Sequence, residues 1–264
     1  MRQGTADEVF TCNGLEWQAS GGGGRIIEEE QTISVNNPQA IRARQRAAQW
    51  VGSISPPGVV GYREWDSLNV GVAGDAAFMR HWPSAYVDSQ AAGSPIRNEF
   101  DTALLPGGKA GRVGTLEGWG LAVSRFSAHP HEPLELVRYL TRKDMQAKRS
   151  HVLSQPPTLP ELYTLPEVPR FCAIETSVPD RHCFASLGCH RQERPGRDRR
   201  LHPGSALRAD WREECAGSCR SLENELVGAT GFKKGAPQGN RPVNRTLNRS
   251  NNLSSTGFSF VRKR

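Results

Sequence analysis

The chain has 264 residues, of which 36% are hydrophobic, and a formal net charge of +7. Nothing in it approaches the roughly 18 consecutive apolar residues of a membrane-spanning helix, and the length suits one large domain or two small ones. The charge is uneven, which argues against a nucleic-acid surface spread over the whole protein: residues 1–170 hold 17 Lys and Arg against 18 Asp and Glu, residues 171–264 hold 17 against 9, and five of the six cysteines lie in the second part. The chain therefore divides at about residue 170 into a neutral body, 1–170, and a basic, cysteine-containing tail, 171–264.

The first residues, Met1-Arg-Gln-Gly-Thr-Ala-Asp-Glu8, lack the apolar core of a secretory signal, so the product as written is expected to stay in the cytoplasm. Residues 9–20 read as a short amphipathic piece ending in the glycine run 21–24, expected to be a flexible turn; no strand precedes it and no Lys-Ser/Thr follows, so it is not a phosphate loop. Ile26-Ile27 and Ile33–Val35 are expected to pair as strands around Glu28–Glu30. Asn37-Pro38 starts a helix, with Asn as N-cap and Pro at its first position. That helix runs to about Trp50, with Ile41, Ala48 and Val51 on the buried stripe and Arg42, Arg44 and Arg46 toward water. A second helix spans Glu64 to about Ala73 and stops at Gly74. A strand from Ala76 to Arg80, a helix over 85–91 and a strand over Phe100–Leu105 follow. His129-Pro-His-Glu-Pro133 opens a helix whose stripe Leu134, Val137 and Leu140 is expected to be buried, and Thr141-Arg-Lys-Asp144 reads as a capping-box restart for another. Strands alternating with helices make the body α/β.

Two stretches draw attention as a candidate site: Ala76-Ala-Phe-Met-Arg-His-Trp-Pro-Ser-Ala-Tyr86 and Thr115-Leu-Glu-Gly-Trp-Gly-Leu-Ala-Val-Ser124. Each reads as a short apolar strand that ends on a Trp beside Gly or Pro. Gly118 allows close approach of backbone and ligand, and an indole offers a flat apolar face to the C–H side of a sugar ring. Two core tryptophans at strand ends is the plainer alternative.

These stretches resemble blocks of the extracellular (family 1) sugar-binding proteins of bacterial ABC transporters, of the maltose/trehalose-binding type. The similarity continues in Thr11-Cys-Asn-Gly-Leu-Glu-Trp17, Val35-Asn-Asn-Pro-Gln-Ala-Ile41, Trp50-Val-Gly-Ser-Ile-Ser-Pro-Pro-Gly-Val-Val-Gly-Tyr62, Leu136-Val-Arg-Tyr-Leu-Thr141 and Leu159-Pro-Glu-Leu-Tyr163, covering about residues 9 to 168 in the family's order. The resemblance implies a type II periplasmic-binding-protein clamshell, here mostly its C-terminal lobe followed by a disordered tail. It implies a monomer outside the cytoplasmic membrane that delivers a disaccharide-like sugar to a membrane permease, with no cofactor and no catalysis. Carried over by motif, Trp82 and the Gly118-Trp119 pair stack on and border the sugar, while Glu16 and Trp17 sit in a family block as contacts or as packing. Ser84 stands where the family commonly has Tyr, which removes one platform. By the same resemblance the first lobe would lie before Met1 and the last Arg contact is replaced by the tail, so the chain is expected to be an incomplete copy that binds sugar weakly or not at all.

The tail offers rival readings. Cys183, Cys189, Cys215 and Cys219, with His182 and His190, are candidate zinc ligands, although only Cys215 and Cys219 stand at a familiar spacing. A basic-tailed nucleic-acid-binding protein and a non-functional fragment are also compatible with the tail's composition. Cys189-His-Arg-Gln-Glu193, back-translated and read one base later, can encode Ala-Thr-Gly-Lys-Asn, similar to a Thr-Gly-Lys block of the family; the tail then reads as a frame-shifted product. A glycosidase needs two carboxylates set across one bond, and no motif pairs Glu16, Asp66, Asp101 and Glu117.

Overall fold

A computed structural model describes residues 8–28, 31–116, 118–168, 182–184, 211–235 and 258–262. Helix α1 (Glu8–Ser20) leads through the glycine turn to β1 (Thr32–Ile33) and α2 (Pro38–Trp50). A 3-10 turn at Pro57–Gly61 precedes α3 (Glu64–Val72), β2 (Phe78–His81), α4 (Ala85–Ser89) and β3 (Phe100–Leu104). Then come β4 (Gly114–Leu116), α5 (His131–Thr141), α6 (Lys143–Leu153) and a second 3-10 turn at Pro160–Thr164. Beyond residue 170 lie β5 (His182–Phe184), α7 (Trp211–Thr230), β6 (Lys233–Lys234) and β7 (Phe258–Arg262).

The strands form small sheets. β7 lies between β2 and β3, antiparallel to both, with Met79 opposite Phe260 and Thr102 opposite Phe260 on the other side. β1 pairs with β6 and β4 with β5, each in parallel. The core between α3, β2, α4 and β3 is built by Leu68, Met79, Ala85, Ile96 and Phe100, with Tyr86 set edge-on to Phe100 at 5.4 Å. A second cluster, Leu15, Ala19 and Val113, joins α1 to the approach of β4. Leu162 and Val168 form a third with Ala147 of α6 and Tyr86.

Local signals produced the elements they predict. Asn37 caps α2, its Oδ1 accepting from the N–H groups of Gln39 (3.1 Å) and Ala40 (2.9 Å). Ile27 bridges Ile33, and the N–H of Glu28 donates to Thr32 O at 2.9 Å, closing the expected hairpin. α3 ends at Gly74, whose φ of +86° suits a residue without Cβ.

Other expectations are corrected. α2 buries Ala40, Ala43 and Ala47 rather than Ile41, Ala48 and Val51, because small residues let the helix sit close on the glycine turn. Gly23 packs so tightly that an added Cβ would lie 2.7 Å from Ala40 N. That turn is pinned, not flexible: the Gln18 amide donates to Gly23 O and Ser34 O (both 3.1 Å) and to Arg25 O (2.8 Å), and Asn37 Nδ2 donates to Gly23 O (2.8 Å). Arg44 does not face water either; it donates to Gln18 Oε1 (2.7 Å) and Val35 O (2.8 Å). Thr141 is no N-cap. Its hydroxyl donates back to Val137 O at 2.8 Å, and α6 restarts from Arg142, whose guanidinium pairs with Asp144 at 2.9 Å. α5 buries none of its residues, and Leu134 is 39% exposed, because none of the hydrophobic clusters among the described residues includes its stripe.

The tail is not uniformly without structure. In α7, Cys219 and Glu223 are buried: Arg44 Nη1 reaches Cys219 Sγ at 3.6 Å, and Asn36 Nδ2 donates to Glu223 Oε2 at 3.2 Å. Lys233 N–H donates to Gln31 O and Gly235 N–H to Ile33 O, fixing β6 on β1. A 20-residue helix can form in this charged stretch because it lays its few buried groups on α2.

One contact is unusually close. The loop before β4 passes so near α1 that a Cβ on Gly108 would lie 2.3 Å from Ser20 O. Ser20 Oγ meanwhile accepts from Gly108 N–H (2.6 Å) and donates to Gly111 O (3.0 Å). Gly108→Ala is expected to cost about 1–3 kcal/mol in urea unfolding, since backbone must move to admit a methyl group.

Candidate functional site

β2 brings a cluster of polar groups to one end of the core. Strand residues alternate faces, yet Met79, Arg80 and His81 are all buried because β2 is covered on both sides. Arg80 Nη2 forms an ion pair with Glu16 Oε1 of α1 at 2.7 Å, and both side chains are only 2% exposed. Glu16 Oε1 also accepts from the N–H of Thr115 in β4 at 3.3 Å, and Thr115 Oγ1 donates to Cys12 O at 3.1 Å. One carboxylate therefore ties the strand leading to Trp82 and the strand leading to Gly118-Trp119 to the same helix.

Trp82 follows β2 directly, and the following Pro83 favours the extended backbone that ends the strand. Its half-buried indole is held at two points. The Arg80 guanidinium lies over the ring with Cζ 4.2 Å from the centroid, and Nε1 donates to Glu64 Oε1 on the first turn of α3. α3 holds Glu64 there because Asp66 Oδ2 accepts from the Arg63 N–H at 2.9 Å, closing the helix start. His81 lies beside this group, 5% exposed, with Nε2 3.2 Å from Glu64 O and Nδ1 without a partner among the described residues. Burial lowers its pKa from 6.5 to about 4; the bond to Glu64 O opposes that shift and the Arg80 charge reinforces it.

The structure brings Glu16 and Trp82 together through Arg80. It does not bring in the others. Trp119 is 98% exposed on a stretch outside any strand, since β4 stops at Leu116, and Gly118 is exposed beside it. Trp17 packs edge-on against Phe10 (6.1 Å) and Trp50 (5.8 Å). Ser84 begins the turn into α4 and carries no side-chain cap.

Arg80, Glu64 and His81 escaped the motif reading. An Arg inside an otherwise apolar strand demands a buried carboxylate, and that is the signal that could have found the pair. Of the zinc candidates, Cys219 is buried in α7; Cys189 and the side chains of Cys183 and Cys215 lie outside the described residues, as do His190 and Glu117. No three His, Cys, Asp or Glu side chains converge among the described residues. Nor is any described helix long and apolar enough to cross a membrane.

No protein-family model matches the chain. A curated protein of Deinococcus radiodurans, described as a probable ABC transporter-binding protein, is 44% identical over 162 residues, which is 61% of this chain and 39% of that relative. Among solved structures, one described as maltose-bound MalE3 of T. maritima is similar with a TM-score of 0.66 and 27% identity, covering 87% of this chain and 56% of that one. The chain thus spans under two fifths of the curated relative's length and little more than half of the solved structure's. Its helices and strands form part of a type II periplasmic-binding-protein fold.

Proposed function

We propose that this chain is a sugar-binding component of an ABC-type import system, of the maltose/trehalose type, in which Trp82 is the stacking platform. It captures and releases a disaccharide-like ligand without making or breaking a bond, acts as a monomer outside the cytoplasmic membrane, and hands its ligand to a membrane permease. The observation that carries this reading is the fixed indole: Arg80 lies over the ring and Glu64 holds its edge, and because Trp82 is only half-buried, a held apolar surface remains for a ring of C–H groups. The relative's description supports an ABC transporter as partner, and the maltose named for the similar MalE3 structure supports a sugar as ligand.

Gly118 and Trp119 are assigned as the border of the site and Trp17 as packing behind it. Trp119, 98% exposed, is assigned to cover a ligand seated on Trp82. Tryptophan fluorescence titrated with maltose tests this. A saturable change in the parent chain supports the proposal; a flat response through tens of millimolar, with the protein folded, overturns it.

A further inference from the structure

We propose that the buried Glu16–Arg80 pair is a positioning unit that sets the Trp82 indole, so that Glu16 acts behind the platform and touches no ligand. This deepens the sugar-binding reading and rests on it for the role of Trp82.

Three observations converge on the pair. Glu16 and Arg80 are 2% exposed, so neither can meet a ligand at the surface. An arginine has five N–H donors in a rigid fork. Here Nη2 goes to Glu16, while Nε and Nη1 are buried without an acceptor among the described residues. A side chain selected for hydrogen bonding alone would satisfy more of that fork. What the arrangement does provide is a cation–π contact: the guanidinium Cζ lies over the indole, 4.2 Å from the ring centroid, where its charge meets the electron-rich face. The third observation is the second bond of Glu16. By accepting from the Thr115 N–H as well as from Arg80, it fixes the distance between the two tryptophan-bearing segments across α1. The chain of dependence runs from α1 through Glu16 to Arg80, and from Arg80 to the plane of Trp82.

Lysine cannot replace this geometry. Its ammonium is a compact point charge that can pair with Glu16 but cannot also extend over the ring as the wider guanidinium does. Replacing both partners by methionine removes both buried charges and leaves the volume roughly filled, so the fold is expected to survive.

The test uses the full-length chain and near-ultraviolet circular dichroism. The difference between the parent and Trp82→Phe isolates the signal of the fixed Trp82 indole. In Glu16→Met/Arg80→Met, with far-ultraviolet dichroism unchanged, that difference signal is expected to collapse, and maltose affinity to fall about 10-fold or more. Arg80→Lys should show the same loss while keeping the ion pair's charge. A full Trp82 signal in both variants overturns the proposal, as does maltose affinity equal to the parent's. If the parent itself fails to bind maltose while the Trp82 signal still collapses in the variants, the positioning role stands and the sugar-binding reading fails.

Discussion

Glu16→Leu is expected to lower the free energy of unfolding by about 3–5 kcal/mol at pH 7, the largest effect of any single substitution considered. The reason is the guanidinium left behind. Arg80 is 2% exposed and two of its nitrogens have no acceptor among the described residues, so losing Glu16 strips the charge partner it has there, in a place that water does not reach. Small domains are stable by only about 5–15 kcal/mol, so such a loss would leave a marginal protein. The attraction within the pair is not the whole of this figure; most of it is the cost of an uncompensated buried charge. Glu16→Met/Arg80→Met should therefore recover most of the loss. Urea unfolding of the four corners of this double-mutant cycle measures both. Equal losses in the single and double variants would show that α1 needs Glu16 for some other reason.

A second large effect is expected with pH. His81 titrates at about 4 when folded and near 6.5 when unfolded, chiefly because burial disfavours its charged form. Between those values the unfolded chain holds more protons, so acid favours unfolding. The contribution is complete above about pH 6.5 and is lost as pH falls to about 4, amounting to about 3 kcal/mol across the interval. Carboxylates titrate in the lower part of the same range, so the parent's slope alone would not identify the group. His81→Asn should remove this part of the slope while the carboxylate part remains. Unfolding free energies of both proteins at pH 4.5, 5.5 and 7 make the comparison; parallel curves would mean that His81 is solvated.

The elements that could be read from sequence are those with local causes. Asn37-Pro38 announces α2 through its own side chain, and Gly74 ends α3 by its own backbone freedom. The strand before Trp82 was readable from its short apolar run. What could not be read depends on distant partners. Nothing near Arg80 names Glu16, which lies 64 residues earlier, and nothing near Cys219 names Arg44, 175 residues away. The α5 stripe shows the converse error: Leu134, Val137 and Leu140 have helical spacing, but spacing states only that a face is apolar, not that something covers it. The strand placement of Trp119 is corrected for the same reason. The stretch read as a short strand ending on Trp119, yet pairing of β4 with β5 ends at Leu116 and leaves the indole in water. Of the candidate site, Trp82 was legible as an aromatic at a strand end, and Arg80 signals a buried acidic partner, whereas which carboxylates hold them is set by the packing of α1 and α3.

The most direct test of the central claim is equilibrium dialysis of the full chain against radiolabelled maltose, with Trp82→Ala alongside; it avoids fluorescence, which the substitution would itself alter. The account predicts saturable retention of maltose by the parent and a loss of affinity of at least tenfold in Trp82→Ala, or about 1.4 kcal/mol or more. Equal retention by the two proteins, or none by a folded parent, would contradict it.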